Sequence, residues 1–278
     1  MYVKLTKKFI TENLMPHLSQ THVGRKPKVR LWRIVKAIIY RLKSGTQWRE
    51  LPIAQFGSRT LMTWQSAYYH FRKWTEDGSW KNLWTNLLKQ YKTFLDMSSV
   101  QLDGSHTPAK RGGEAVEYQK RKSCKTTNML FLTDKQGIPL AISDPVSGNH
   151  HDLFEIKKQL SKMVKDVEAA TISCNGLFLN ADAGFDAISL REFLDSIDII
   201  TNIDINKRNS KKTDYEYLLD EELYKERFSV ERTNAWIDAF KAILVRFETL
   251  KRTFESLHYL AFSLILLRKV KPYYFLKQ

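Results

Sequence analysis

Three acidic residues stand in surroundings that make an unpaired carboxylate costly. Asp103 closes the short apolar stretch Val100–Asp103 and is followed by Gly104. Asp182 closes a second one, Leu177-Phe178-Leu179-Asn180-Ala181-Asp182, and Glu231 opens a long helical stretch inside Arg227-Phe228-Ser229-Val230-Glu231-Arg232. Carboxylates at the ends of buried strands repel one another and lose hydration. A divalent cation removes both problems, and hard oxygen donors suit Mg²⁺. Two such ions ~3.5–4 Å apart stabilise the attacking and leaving oxygens of a phosphodiester in an in-line displacement. Each acid also has a plainer reading. Asp103 could be a turn residue before Gly104, and Glu231 a favourable charge near a helix N-terminus. The adjacent pair His150-His151 could look like a metal site, but neighbouring side chains rarely converge on one ion. Asp152 reads instead as the cap of the next helix, with Glu155 three residues on; contact with DNA or the active site is the alternative.

The elements that must position these acids alternate strand and helix. Val100–Asp103 is a strand start ended by Gly104, then comes a polar, basic loop through His106, Lys110, Arg111, Lys120, Arg121 and Lys122. Met129–Thr133 and Ile138–Ile142 form a hairpin about Lys135-Gln136-Gly137. Asp152–Val167 is an amphipathic helix, Leu177–Asp182 a strand, Ile188–Leu194 a short helix and Ile199–Ile205 a strand. Asn206–Asp220 reads as an exposed loop, and helices follow from Ser229. This predicts a mixed α/β domain, a sheet flanked by helices. No internal repeat and no glycine-rich phosphate loop is present, so a P-loop or dinucleotide fold is unsupported.

The first third is different. Of the formal net charge of +15, residues 1–97 carry +13, from 18 Lys and Arg against 5 Asp and Glu. Residues 98–278 carry +2, from 27 against 25. Six of the seven tryptophans also precede residue 97; they read as core. Charge and texture divide the chain into 1–97, a basic helical part suited to DNA binding, and 98–278, a nearly neutral part of strands and helices. So strong a positive excess favours a polyanion through Coulomb attraction and counterion release.

Within that third, Leu31, Ile34, Val35, Ile38, Ile39 and Leu42 recur at helical spacing, and Ser44-Gly45 stops the helix. Thr46 can cap a short second helix, Gln47–Glu50, which Pro52 ends. Ser58 can cap a third, running to about Trp74. Short helix, turn, longer helix is a helix-turn-helix-like layout whose third helix would read DNA. Its outer face offers Arg59, Thr63, His70, Arg72 and Lys73 to phosphates and base edges. The basic arm Gly24-Arg25-Lys26-Pro27-Lys28 could lie in a minor groove, Arg25 and Lys26 being its contacts.

Composition excludes other classes. Hydrophobic residues are 43% of the 278, too many for a disordered chain. Two cysteines cannot build a disulfide framework and suit a reducing compartment. No apolar run approaches the ~20 residues that span a bilayer, and no secretory h-region follows the start. The expected setting is cytoplasmic, on DNA, with no membrane partner.

Five segments in order carry a resemblance. They are Leu102-Asp103-Gly104-Ser105-His106; Lys125-Thr126-Thr127-Asn128 with Gly137-Ile138-Pro139-Leu140; Gly148-Asn149-His150-His151-Asp152; Asn180-Ala181-Asp182-Ala183-Gly184-Phe185-Asp186; and Val230-Glu231-Arg232-Thr233-Asn234-Ala235-Trp236. Together they resemble the DDE transposases of bacterial insertion sequences, in the branch with a short basic helical N-terminal domain and an uninterrupted catalytic fold. The resemblance implies an RNase H-like domain with Asp103 on the central first strand, Asp182 on the fourth strand beside it, and Glu231 on a later helix. It implies these three as catalytic residues and metal ligands for two Mg²⁺ ions, with Mn²⁺ able to substitute. It implies binding of the element's terminal inverted repeats and of target DNA, both double-stranded, followed by cleavage and strand transfer. A homodimer on DNA is expected, since joining two ends takes two active sites. The family's Tyr, Arg, Glu, Lys signature falls on Tyr224, Arg227 and Glu231, so Arg227 is a further DNA contact. Asp238 occupies the Lys position; Lys241 or Arg246 could supply the missing cation. The competing reading is a sequence-specific DNA-binding regulator whose RNase H-like domain is unused, although all three acids are retained.

Overall fold

The computed structural model describes residues 5–20, 29–57, 62–206 and 219–271. The chain opens with helices α1 (Lys7–Asn13), α2 (Leu31–Ser44), α3 (Trp64–Glu76) and α4 (Ser79–Gln90). Strands β1 (Val100–Pro108), β2 (Glu117–Gln119), β3 (Cys124–Asp134), β4 (Pro139–Ile142) and β5 (Val146–Ser147) follow. After them come α5 (Ile156–Ala169), β6 (Leu177–Ala181), α6 (Ile188–Ser196) and β7 (Ile199–Ile203). Helices α7 (Glu221–Lys225), α8 (Ser229–Asp238), α9 (Lys241–Leu244) and α10 (Lys251–Val270) complete the order. The architecture is the expected α/β one with a helical N-terminal region.

Packing divides the chain into two compact units. One takes the residues up to Leu87, Ala109–Glu114 and everything from Trp236 on; the other takes Leu88–Pro108 and Ala115–Ala235. Charge and texture drew the line at residue 97, whereas packing groups α9 and α10 with the basic helices. The reason lies in α10, where nearly every residue from Thr253 to Leu267 is buried. A helix apolar all round must be surrounded, and the apolar faces of α2 and α3 pack against it.

In this helical unit α2 ends as its sequence requires. Gly45 takes a left-handed φ of 70° and its N–H closes on Arg41 O at 2.9 Å. Three of the tryptophans are core: Trp74, Trp80 and Trp84 are buried, and Trp74 meets Trp80 edge-on at 5.4 Å, whereas Trp32, Trp48 and Trp64 are half-buried. The expected short second helix is instead a pair of 3-10 turns, Trp48–Glu50 and Ile53–Gln55, with no side-chain cap from Thr46. The third helix starts at Trp64, where Thr63 and Ser66 form a reciprocal capping box.

The second unit is built on one sheet of strand order β2-β3-β1-β6-β7. β1 is central, antiparallel to β3 and parallel to β6, and β6 is parallel to β7. The short strands β2, β5 and β4 pair in turn with β3 at residues 124–126, 127–128 and 131–133. The β3–β4 turn is held by Asp134, whose Oδ1 accepts from the N–H groups of Gln136 at 3.0 Å and Ile138 at 2.7 Å. β1 runs on to Pro108, so Asp103 is interior to the strand rather than at its end. Gly104 does not terminate the strand. A Cβ there would overlap the Asp152 carboxylate, so glycine marks a close approach.

Candidate active site

The acids are set by register. In the parallel pair Gln101 faces Asn180 and Leu102 faces Ala181, so the next residues along, Asp103 and Asp182, are neighbours. In β6 and β7, Asn180 faces Asn202 and Ala181 faces Ile203, which brings Asp204 beside Asp182 in the same way. Side chains two apart share a face of a strand. One face therefore presents a row of amides, Gln101, Asn180 and Asn202, and just beyond it a row of carboxylates, Asp103, Asp182 and Asp204.

The amide row is buried and joined. Asn180 Nδ2 donates to Gln101 Oε1 at 2.9 Å, and Asn202 Nδ2 donates to Asn180 Oδ1 at 2.7 Å. The row also holds what lies over it. Asn180 Nδ2 reaches Leu223 O at 2.9 Å, and Asn202 exchanges bonds with the Asp220 backbone at 2.8 and 3.1 Å. Asp220 caps α7 through the N–H groups of Glu222 and Leu223. The ladder thus fixes the segment that carries Tyr224 and Arg227. The ring of Tyr224 feels both Asp182 and Asp204; its hydroxyl is pushed up by burial and by these acids, against the pull of Arg227. The Arg227 guanidinium lies 5.4 Å from the Tyr224 ring centre and 4.6 Å from that of Phe228.

Asp103 is the most perturbed of the acids. Burial pushes its carboxyl up to about 6; hydrogen bonds from Asn234 and the Gly104 N–H oppose this, and Asp152 and Asp182 add repulsion. Asn234 Nδ2 donates to Asp103 Oδ2 at 3.0 Å. Asp182 is exposed, and its Oδ1 accepts from Gly184 N at 2.8 Å. Glu231 is exposed on the first turn of α8. It precedes Asn234 by three residues, the spacing that puts two side chains on one helix face. Asp103 and Asp182 are thus brought together, with α8 laid against Asp103 through Asn234. Among the described residues no three His, Cys, Asp or Glu side chains converge as a metal cage.

Asp152 is not the cap of α5. That helix begins at Ile156 after Glu155, which has a left-handed φ of 49° and makes no side-chain cap. Asp152 Oδ1 instead accepts from the buried Asn128 Nδ2 at 2.7 Å, and its carboxylate lies under Gly104, near both Asp103 and His106. The alternative open in the sequence, a contact at the active site, fits this placement.

The expected DNA contacts divide. Arg25, Lys26 and Arg59 lie outside the described residues. Thr63 spends its hydroxyl on the α3 cap, where Oγ1 accepts from Ser66 N at 3.3 Å. His70 is not on the outer face. It is buried between Tyr69 and Trp74, because positions 67, 70, 71 and 74 form the inner stripe of α3. Burial, with help from Lys73, pushes His70 down to about 4, so it is neutral near neutral pH. Arg72 Nη2 bonds Glu76 Oε1 at 2.6 Å. Lys73 lies one turn from the C-terminus of α3. Arg246, a stand-in for the signature Lys, is buried and donates to Glu248 O at 2.8 Å; Lys241 is exposed.

The sequence also matches known families. Residues 10–84 match a family described as a transposase of IS4/5 family, and residues 88–266 match the transposase DDE domain. The chain belongs to the transposase DDE domain family. As a transposase it is a DNA-cleaving and DNA-transferring enzyme of a class that generally uses divalent metal ions. No curated protein matches the sequence. Among solved structures, a piggyBac transposase synaptic complex with hairpin DNA is 10% identical with a TM-score of 0.43, over 96% of this chain and 82% of that one. The Mos1 transposase paired-end complex is 14% identical with a TM-score of 0.30, over 87% and 79%. No helix among the described residues of the transposase is long and apolar enough to cross a membrane.

Proposed function

We propose that this transposase binds the terminal inverted repeats of its own insertion sequence and carries out metal-dependent strand cleavage and strand transfer at Asp103, Asp182 and Glu231. The observation that carries the reading is the register of β1 and β6, which sets Asp103 beside Asp182 with α8 against them. The donors suit a hard divalent ion. They are carboxylate oxygens, and Asp103 is buried, beside Asp152 and Asp182, at a desolvation cost that its hydrogen bonds do not offset. Asp103 and Asp182 would hold the ions and Glu231 would complete the coordination. Bound there, Mg²⁺ or Mn²⁺ makes water a nucleophile near neutral pH and neutralises charge on the attacking and leaving oxygens.

The chain's own residues orient these parts. Asn234 and the Gly104 N–H orient the Asp103 carboxylate, and the Gly184 N–H holds Oδ1 of Asp182. Arg227, beside Tyr224, supplies a guanidinium for a non-bridging phosphate oxygen. Water attacks the phosphodiester at the element end and a 3′-OH leaves. That hydroxyl then attacks a target phosphodiester, expelling the target's own 3′ oxygen. The basic helical part supplies affinity for the ends, and a dimer supplies the two sites that joining two ends requires.

The test is to incubate the full chain with element-end duplexes, target DNA and Mg²⁺ and to sequence the products. Joined products with a 3′ end of the element on target DNA are expected. Cutting without joining would make the protein a nuclease of the same fold, and binding without either would make it a regulator.

A further inference from the structure

Beside the acids lies a run of cations that this mechanism leaves unused. After β2 the chain makes a 3-10 turn, Lys120–Lys122, and returns into β3 through Ser123, whose φ is 49°. Lys120, Arg121, Lys122 and Lys125 are all exposed, as is Tyr118, opposite Lys125 in the β2–β3 pair. A charged turn with no task is ordinarily loose and solvated. This one is anchored from three sides. Gln119 Oε1 accepts from Arg121 N at 3.3 Å, while its Nε2 donates to Gly148 O at 2.8 Å. Ser123 N closes on Lys120 O at 3.2 Å. Lys122 Nζ donates to His106 O at 2.7 Å.

That last bond places the turn. His106 is three residues beyond Asp103 on the same extended strand, which is about 10 Å at ~3.3 Å per residue. The ammonium of Lys122 has three donors and spends one on His106, leaving two. The Lys122 ammonium therefore sits about 10 Å along β1 from Asp103. Lys125 and Tyr118 lie farther out, because Thr126 faces Pro108 and Lys125 is one step beyond it, about 20 Å from Asp103 along the strands. A DNA strand rises ~3.4 Å per nucleotide, so the turn covers about three to six nucleotides from the acids.

We propose that the Tyr118–Lys125 turn is a phosphodiester-backbone clamp, holding the DNA strand about three to six nucleotides from the phosphate cut at Asp103 and Asp182. The assignment rests on the reading of those acids as catalytic. The cations neutralise backbone phosphates, and Tyr118 stacks against a sugar or base of the strand. The backbone could belong to the element end or to the target, and the same chemistry serves either.

The test uses the full chain carrying Arg121→Cys and Cys124→Ser, so that the half-exposed native thiol does not compete; Cys174 is buried. Short duplexes carry a thiol tether on one phosphate at a time, scanned outward from the cut. One set is copied from the element end and the other has random sequence as target. A disulfide confined to phosphates about three to six nucleotides from the cut supports the clamp, and the set that reacts identifies the DNA held. Absence of crosslinking in both sets, or equal crosslinking at every phosphate, overturns it. A second measurement compares Lys120→Ala/Arg121→Ala/Lys122→Ala with a control triple on α5, Lys157→Ala/Lys158→Ala/Lys165→Ala. Removing three phosphate contacts should flatten the dependence of log affinity on log salt by about 2 to 3. An equal change in the control reduces the turn to general charge and overturns the clamp. Asp103→Ala should keep the crosslink. Cutting by Asp103→Ala would overturn the acid assignment while leaving the crosslink to judge the clamp.

Discussion

In the helical unit one buried polar contact is an ion pair. Arg41 Nη2 meets Glu248 Oε1 at 2.7 Å, both largely buried, and the guanidinium lies 5.1 Å from the ring centre of Trp48. In the sheet unit a buried polar row of neutral amides, Gln101, Asn180 and Asn202, is joined beneath the acids. Both cost desolvation. The ion pair ties α2 to the stretch before α10, so it holds the unit together. The amide row carries no charge of its own next to Asp103 and Asp182, so it can fix the backbone above them without altering the field at the phosphate. The same physical cost thus secures a fold in one unit and the geometry of the proposed site in the other.

The sharpest break of this comparison is at the acids. Asp103→Ala, Asp182→Ala and Glu231→Ala should each lower cleavage of element ends by about a thousandfold or more, since electrostatic and metal contributions to the transition state are worth several kcal/mol. Affinity for the ends, measured by mobility shift, should stay close to wild type, because loss of a carboxylate also removes repulsion toward phosphate. Wild-type cutting by Glu231→Ala would remove Glu231 from the site. Asp186 is a poor control for this series. Its Oδ1 accepts two bonds from Arg191, and its Oδ2 accepts one from Asn206 N, so its replacement would disturb the fold. Asp195 has no such bracing role and is the better choice.

Next in size is the ion pair. Glu248→Ala should destabilise the full chain by about 3–5 kcal/mol in denaturant unfolding, because it leaves Arg41 buried and uncompensated. The double change Arg41→Met/Glu248→Leu should recover most of that loss. A single variant as stable as wild type would show that the pair does not hold α2 in place.

What the sequence hid explains why the amide row was not foreseen. The acids, the strands and most helices could be read from local pattern and from the family segments. Gly104 looked like a strand terminator because its function depends on Asp152, 48 residues away. Asp152 looked like a cap because the spacing to Glu155 is right, yet the turn before α5 is left-handed. His70 looked outward because a histidine among basic residues reads as surface, while its position on the inner stripe of α3 is set by Trp74 and Phe71. Asn180 and Asn202 are unremarkable letters until β6 and β7 are known to be parallel and in register. Gly104 and the amide row are tertiary relations that local spacing cannot encode, whereas the place of His70 was legible, since 67, 70, 71 and 74 is the spacing of one buried helix stripe.

The amide row itself gives a smaller effect. Asn180→Leu removes the donors to Gln101 and Leu223 and leaves both acceptors unpaired, a cost of about 1–3 kcal/mol each in stability. If the row only supports the fold, cleavage per folded molecule should be unchanged. As a positioning group it should raise the Mg²⁺ concentration needed for half-maximal cleavage by about 10–100-fold, the usual scale for groups behind a metal ligand. End binding should not move. Asn180→Asp serves as the conservative partner: it keeps the shape and adds a charge beside the acids, so it should also fail. An unchanged Mg²⁺ requirement in both would confine the row to a role in folding.

The smallest net effect is the pH dependence, and here the two units oppose each other. His70 and His258 of the helical unit are both pushed down to about 4, in each case chiefly by burial. Their unfolded counterparts titrate near 6.5, so between pH 4 and 6.5 the unfolded chain binds more protons and helical stability rises with pH. Asp134 of the sheet unit is pushed up to about 6 by burial, against hydrogen bonds from Ile138, Asp96 and Gln136. There the folded state binds the extra proton, so its contribution falls as pH rises from about 4 to 6. His106, held low by burial, works against Asp134 within the sheet unit and reduces its slope. Asp103, pushed up to about 6 chiefly by burial, acts in the same direction as Asp134, so global unfolding midpoints should change little across this window. Hydrogen exchange read segment by segment, corrected for intrinsic rates, should separate the contributions. Amides of α3 and α10 should gain protection as pH rises from 4 to 6.5, and those of the β3–β4 turn should lose it. Asp134→Asn should abolish the loss without touching α10. Parallel gains in both units would mean that the Asp134 carboxyl is ionised throughout, its backbone hydrogen bonds outweighing its burial.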